Sequence, residues 1–343
     1  MTSTVPATSS ARRGSDFAEL SRRIRAAGLL DRRPGWYSRA IALAFGAFAA
    51  CWTVFGLLGD SWWQLLVAAA LAVVSTQLAY LGHDAGHKQI LHGRRANNAI
   101  GHFHALLTGV SFGWWVTKHN RHHANPNHED EDPDLDIPVL AFSTEQASGR
   151  TGLLRWTAAH QAALFFPLLT LEGVMLHWAG IDAIVRGTVR ARILEGLLLT
   201  AHLGAYVAAV SLVLPPGKAL VFVAVQKGLW GVLMGCAFAP NHKGMDMIGR
   251  GESLDFLRKQ VLTSRDVGGG RWVDVALGGL NHQVTHHLFP SMARPHLRLA
   301  RPLVEAFCAE RGIPYVRCSL LASYRQVLQH LHTIGAPLRE LRS

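Results

Sequence analysis

The sequence predicts an all-α membrane protein: about four transmembrane helices, interfacial helices between them, and a cytosolic helical cap carrying a histidine-rich site. Three observations predict it. Apolar residues, 49% of the 343, gather into runs near the length of about 20 residues that crosses a bilayer. Arginines collect on alternate connections between those runs. Three histidine-rich boxes stand at the ends of apolar stretches, where packing gives no reason for them.

Taken in order, residues 1–35 form a basic arm rich in Ser, Thr and Arg, ending in an amphipathic helix around Phe17 to Leu30. Its start lacks the apolar core of a secretory signal. Residues 36–320 form the membrane domain, and 321–343 a cytosolic tail. Within the domain the spans are Ala40 to Leu58, Trp62 to Leu81, Ile193 to Leu214 and Ala219 to Ala239. Two further apolar stretches are expected to lie in the interface. Ile100 to Val116 holds His102, His104 and several glycines. Leu153 to Trp178 carries Arg155, His160, Gln161 and Glu172, each costly at the bilayer centre.

Loop charge sets the orientation. Arg12, Arg13, Arg22, Arg23, Arg25, Arg32, Arg33 and Arg39 precede the first span, which places the N-terminus in the cytosol. Gly59, Asp60 and Ser61 carry no cation and belong outside. Arg186, Arg190 and Arg192 lie inside, and Pro215-Pro216-Gly217 turns outside. All the boxes then face the cytosol. A net charge of +11 would suit nucleic acid, yet the arginines flank apolar runs and no nucleic-acid motif is present. The four cysteines, Cys51, Cys236, Cys308 and Cys318, have no paired spacing, which argues against a disulfide framework.

The first box is His83-Asp-Ala-Gly-His87, whose histidines, four apart, share a helical face. Asp84 is placed to orient a ligand imidazole. The second, His119-Asn-Arg-His122-His123, fans over about 100° of helix, enough to serve two metals. The third, His282-Gln283-Val-Thr-His286-His287, is ambiguous at its first position. On a helix Gln283 lies about 60° and 40° from His286 and His287, and His282 about 40° and 140°. Either side chain can lead the box. Asn241-His242 leaves the last span at the same face, His242 as an additional ligand with Asn241 beside it. The acidic run from Glu129 to Asp134 lacks a calcium-loop pattern and reads as solvated or as support for a ligand.

Zinc takes three or four ligands, whereas at least eight candidates converge here, so two irons are the preferred metal. Many nitrogens with few carboxylates suit dioxygen activation, and the membrane setting implies a long apolar substrate. A metal transporter or sensor is the non-enzymatic alternative. Transporters place ligands mid-span, whereas these boxes sit at span ends.

From about Leu81 to Tyr315 the sequence resembles the membrane fatty acid desaturases. The likeness rests on the first two boxes, the latter running on into Ala-Asn-Pro, and on Asn281-His-Gln-Val-Thr-His286-His287-Leu-Phe-Pro290. A third box led by glutamine and followed by Arg-Pro-His-Leu is similar to the front-end or linoleoyl-CoA-type branch. The resemblance implies a non-haem di-iron oxidoreductase that uses dioxygen and two electrons to desaturate an acyl chain carried on CoA, acyl-carrier protein or a lipid. It implies His83, His87, His119, His122, His123, His286 and His287 as iron ligands, with Gln283 where other branches place histidine. Hydroxylases, epoxidases and acetylenases share the scaffold. The His-Pro-Gly-Gly motif of a fused cytochrome b5 domain is not found in the sequence, so a separate electron-transfer protein such as a ferredoxin is expected to supply the electrons.

Overall fold

A computed structural model describes residues 15–340. The arm before residue 15 and the last three residues of the expected tail lie outside the described residues. Helix α1 (Asp16–Ala26) precedes two long apolar helices, α2 (Pro34–Leu58) and α3 (Gln64–Gly86). A hairpin of α4 (Arg94–Thr108) and α5 (Phe112–Ala124) follows, then the short α6 (Thr144–Ser148). Three more long helices come next: α7 (Gly152–Val185), α8 (Arg192–Val213) and α9 (Pro216–His242). The remainder is α10 (Phe256–Leu262), β1 (Asp266–Gly268), α11 (Arg271–Ala276), α12 (Gln283–Leu288), α13 (Arg294–Glu310), β2 (Arg317–Ser319) and α14 (Leu320–Glu340). The two strands pair in parallel, Asp266 opposite Arg317.

Among the described residues five helices are long and apolar enough to cross a membrane: α2, α3, α7, α8 and α9. Helix α7 was expected to be too polar. Two of its polar side chains, Gln161 and His177, are turned inward and partnered, which removes much of their cost, while Arg155, His160 and Glu172 are half-buried. Gln161 accepts from the Ala141 N–H at 2.8 Å and donates to the Leu331 carbonyl at 3.0 Å. His177 donates through Nδ1 to the Gly109 carbonyl at 2.7 Å. Close backbone contact with α9 also needs small residues: a Cβ at Gly173 would meet the Lys227 carbonyl oxygen at 2.3 Å.

Five such helices still make four net crossings. Helices α3 and α9 run parallel, since Val67 shares a core with Phe222, Ala72 with Trp230, and Tyr80 with Ala237. Both deliver histidines to one site, so α9 starts on the side opposite the end of α3. Helices α7 and α8 together therefore account for one net crossing. The α4–α5 hairpin accounts for none. The apolar stretch expected from Ile100 to Val116 breaks at Gly109, whose φ of 72° closes α4 in the left-handed region. His202 Nδ1 donates to the Leu106 carbonyl at 2.9 Å, and Glu195 accepts from Ser111 and from the Gly113 N–H. These bonds tie the hairpin tip to α8.

The cap has its own core. Leu20 and Ile24 of α1 pack with Val261, Val284, Leu288, Val304 and Phe307, so the first helix seals the cap. Helix α14 lies along α7, with Leu338 against Ala158 and Ala159. All four cysteines are free.

Candidate metal centre

Pro240 shapes the end of α9. It has no N–H to give the Cys236 carbonyl, and Tyr324 Oη donates there instead, at 2.7 Å. Ser323 Oγ donates to the Pro240 carbonyl. The last turn, Asn241 and His242, is thus fixed from α14 as it enters the cap. Helix α5 is started by Ser111, whose hydroxyl accepts from Trp114 N. Helix α12 is only six residues long, and Asp266 holds its start by accepting the Val284 N–H at 3.0 Å.

The three boxes and His242 converge. The nearest ring nitrogens of His83, His87, His119 and His286 all lie within 4.8 Å of one another. A second group, His122, His242 and His287, meets the same distance. The fan of box two thus divides, His119 to the first group and His122 to the second. His123 stands between them: its Nε2 is 3.1 Å from His119 Nε2, and its ring stacks on His287 at 4.1 Å.

These imidazoles are aimed rather than merely buried. His122 Nδ1 donates to Asp132 at 2.9 Å, His242 Nδ1 to the Thr263 carbonyl at 3.0 Å, and His287 Nδ1 to Gln260 Oε1 at 2.8 Å. His83 Nδ1 lies 3.3 Å from Asp84, which Arg294 holds in turn at 2.8 Å. Outward bonding of one ring nitrogen fixes the tautomer that leaves the other free for a metal. Among the described residues the Nε2 atoms of His83, His87 and His287 and both nitrogens of His286 have no protein partner while fully buried. Seven or eight nitrogens, several orphaned and facing inward, fit two metal ions.

The electrostatics agree. Burial and then the neighbouring imidazoles push His119, His123, His286 and His287 well below the ordinary histidine range, keeping them neutral, the form that binds metal. At His122 burial acts in the same direction, but the carboxylates of Asp132 and Asp134 outweigh it and raise the pKa. Lys118 is tied to Asp134 and helps hold that carboxyl far below its usual range.

The two candidates for leading box three point apart. Gln283 Nε2 is 2.9 Å from His242 Nε2, and its Oε1 accepts from Asn241 at 3.3 Å. His282 Nε2 donates to Asp274 at 3.0 Å, away from the centre. Asn241 thus reaches the site through Gln283. Within the acidic run, Asp132 is buried on His122 while Asp130 pairs with Arg250 at 3.0 Å. Sequence reasoning missed Gln260, Thr263 and Arg294 as supports. Arg294 opens the Arg-Pro-His-Leu motif and carried a signal there, whereas Gln260 and Thr263 carried none.

The model of the fatty acid desaturase family matches residues 60–319, which include every residue of the centre. An acyl-lipid (9-3)-desaturase of Physcomitrium patens is 33% identical over 288 residues, covering 80% of this chain and 54% of that protein. A Delta(8)-fatty-acid desaturase of Helianthus annuus is 29% identical, covering 95% of this chain and 74% of its own. Fatty acid desaturase 3 of Bos taurus is 29% identical, with 93% and 73% covered. The chain thus spans about half the length of the first of these relatives and about three quarters of the others. With histidines gathered at the ends of apolar helices and a family match running through all of them, the chain belongs to the fatty acid desaturase family.

Proposed function

We propose that this protein is a front-end-type fatty acyl desaturase whose two irons are held by His83, His87, His119 and His286 on one side and by His122, His242 and His287 on the other. His123 lies between them, and Gln283 flanks the second group. The observation that carries this reading is the set of buried, partnerless ring nitrogens turned toward one another. Two irons bound there supply the dioxygen activation that removes two hydrogens from a CH2–CH2 pair, with two electrons from a separate carrier such as a ferredoxin. The protein's own contribution is positional. Asp132, Thr263 and Gln260 hold the protons on the Nδ1 atoms of His122, His242 and His287 and so present Nε2 inward. Trp115 stacks on His119 at 4.5 Å and closes the centre beside α5. Gln283 rather than His282 leads the third box, since its amide is the one beside His242.

The arginines before α2 support a cytosolic N-terminus and a cytosolic centre. Reporter fusions after Gly59 and Pro216 are expected outside, and after Arg150 and Arg250 in the cytosol; an outside signal at Arg150 would break this topology. Anaerobically purified protein is expected to hold about two irons per chain. Expressed in a host with a compatible electron carrier, it yields acyl chains that have lost two hydrogens. One zinc with no iron, or products that have gained oxygen instead, would overturn the reading.

A further inference from the structure

Helix α11 belongs to the cap, yet it does not sit above the membrane helices. Gln77 of α3 donates to the Val275 carbonyl at 3.1 Å, and Tyr80 Oη to the Ala276 carbonyl at 2.9 Å. The backbone comes closer still at Gly278, with φ 59°, where a Cβ would meet the Tyr80 ring at 2.3 Å. Helix α3 begins at Gln64, and at 1.5 Å per residue Gln77 and Tyr80 lie about 20 and 24 Å along it. A hydrocarbon core of about 30 Å that starts near the beginning of α3 therefore includes both positions. The outer face of α11 is apolar at that depth: Trp272 is 63% exposed and Val275 65%. Leu321, 81% exposed, adjoins Leu320, which packs with Tyr80 and Val273. Around this tip stand three exposed arginines. Arg271 opens α11, Arg298 approaches Asp274 only at 3.7 Å, and Arg317 lies against Gly268.

We propose that α11 is a wedge of the cap inserted into the leaflet on the metal side. Trp272 and Val275 lie among acyl chains, and Arg271, Arg298 and Arg317 lie at the level of the phosphates. An apolar tip ringed by cations is the pattern that seats a surface element in an anionic leaflet. The other face of α11 carries Asp274, which accepts from His282 at 3.0 Å and from Asn281 at 2.9 Å. The wedge is thereby joined to the start of α12, and the depth of the bilayer sets the height of box three. The proposal rests on the membrane reading and not on desaturation.

The test is nitroxide labelling of the full chain in vesicles of phosphatidylcholine and phosphatidylglycerol, with Cys51→Ala, Cys236→Ala, Cys308→Ala and Cys318→Ala as background. Labels at Trp272→Cys and Val275→Cys are expected to collide with oxygen several-fold more, relative to a water-soluble nickel chelate, than a label at Glu145→Cys on α6. Leu57→Cys on α2, where the side chain is 83% exposed, provides the lipid reference. Labels at 272 and 275 that match 145 while 57 reports lipid overturn the wedge. A label at 57 that matches 145 overturns the membrane reading itself. Arg271→Glu with Arg317→Glu is expected to raise nickel collisions at 272, and unchanged collisions would remove the arginine ring from the proposal.

Discussion

The histidines of the helical bundle and those of the candidate centre are used in opposite ways. In the bundle, His177 and His202 give Nδ1–H to the carbonyls that end α4, and Lys227 donates to His177 Nε2 at 2.8 Å. They satisfy backbone groups that the hairpin tip would otherwise leave unpaired between the apolar helices α7 and α8. In the centre, His122, His242 and His287 are also bonded through Nδ1, but there the ring nitrogens converge within 4.8 Å of one another. His177 is buried like the histidines of the centre, and His202 is half-buried. What separates a ligand from an anchor is whether the nitrogens left over face one another, and that depends on residues far away in sequence.

The comparison breaks most visibly at a central ligand. His286→Ala removes a side chain whose two nitrogens have no protein partner, so no hydrogen bond of the fold is lost, while the proposed centre loses a ligand. Activity is expected to fall by far more than tenfold, with expression and membrane insertion preserved. Retention of over about a tenth, near 1.4 kcal/mol of barrier, would take His286 out of the ligand set.

Gln283 and His282 sharpen it. Gln283→Ala removes the amide beside His242 and is expected to cut turnover and iron content together, by roughly 10–100-fold, the usual scale for a group that supports a metal ligand. His282→Ala breaks only the bonds to Asp274 and is expected to be milder on both counts. Full activity in Gln283→Ala with iron lost in His282→Ala would reverse the assignment.

The bundle set gives the converse. His177→Ala leaves the Gly109 carbonyl and the Lys227 ammonium without their partner, at a cost of about 2–4 kcal/mol. The detergent-solubilised protein is expected to melt earlier, while iron per chain measured in the cold stays at the unmodified level. Loss of iron with unchanged melting would place His177 with the ligands.

The boxes were legible because ligand spacing is a property of single helices: His119 and His123 share a face wherever the helix is placed. That the fan of box two can serve two metals was legible for the same reason, whereas which histidine joins which group depends on where the other boxes lie. The supports were not. Gln260 and Thr263 follow α9 by about twenty residues and return to His287 and His242 only through the packing of α10 under α12, which no local pattern encodes. Helix α7 is long and apolar enough to cross although it was expected in the interface; of the residues held against it, Gln161 faces protein and is bonded, while Arg155, His160 and Glu172 are half-buried. Four crossings nonetheless stand, since α3 and α9 must finish on the same side.

The smallest effect concerns two buried carboxylates that serve box positions in contrasting ways. Asp132 accepts from His122, and Asp134 with Lys118 lies close by; burial opposes ionisation, but the interaction with His122 prevails and Asp132 stays below its ordinary range. Asp266 holds α12 through the Val284 N–H and accepts from Tyr315 Oη at 2.6 Å; among the described residues it has no ion pair, and the charge of Arg301 offsets its burial only in part. Burial pushes it up to about 6 from 3.8. A folded-state pKa above the unfolded value means that the folded protein binds the extra proton. Asp266 therefore costs stability above pH 6, roughly 3 kcal/mol at most, and that cost is relieved as pH falls from 6 toward 4. Asp266→Asn keeps an acceptor for Val284 and removes the charge. Its melting temperature relative to the unmodified chain is expected to be most favourable at pH 7–8 and to lose that advantage by about pH 4–5. The difference between the two chains isolates Asp266 from the many histidines that titrate in both. A difference that does not change with pH would mean that Asp266 is ionised at little cost, and that α12 is held by hydrogen-bond geometry alone.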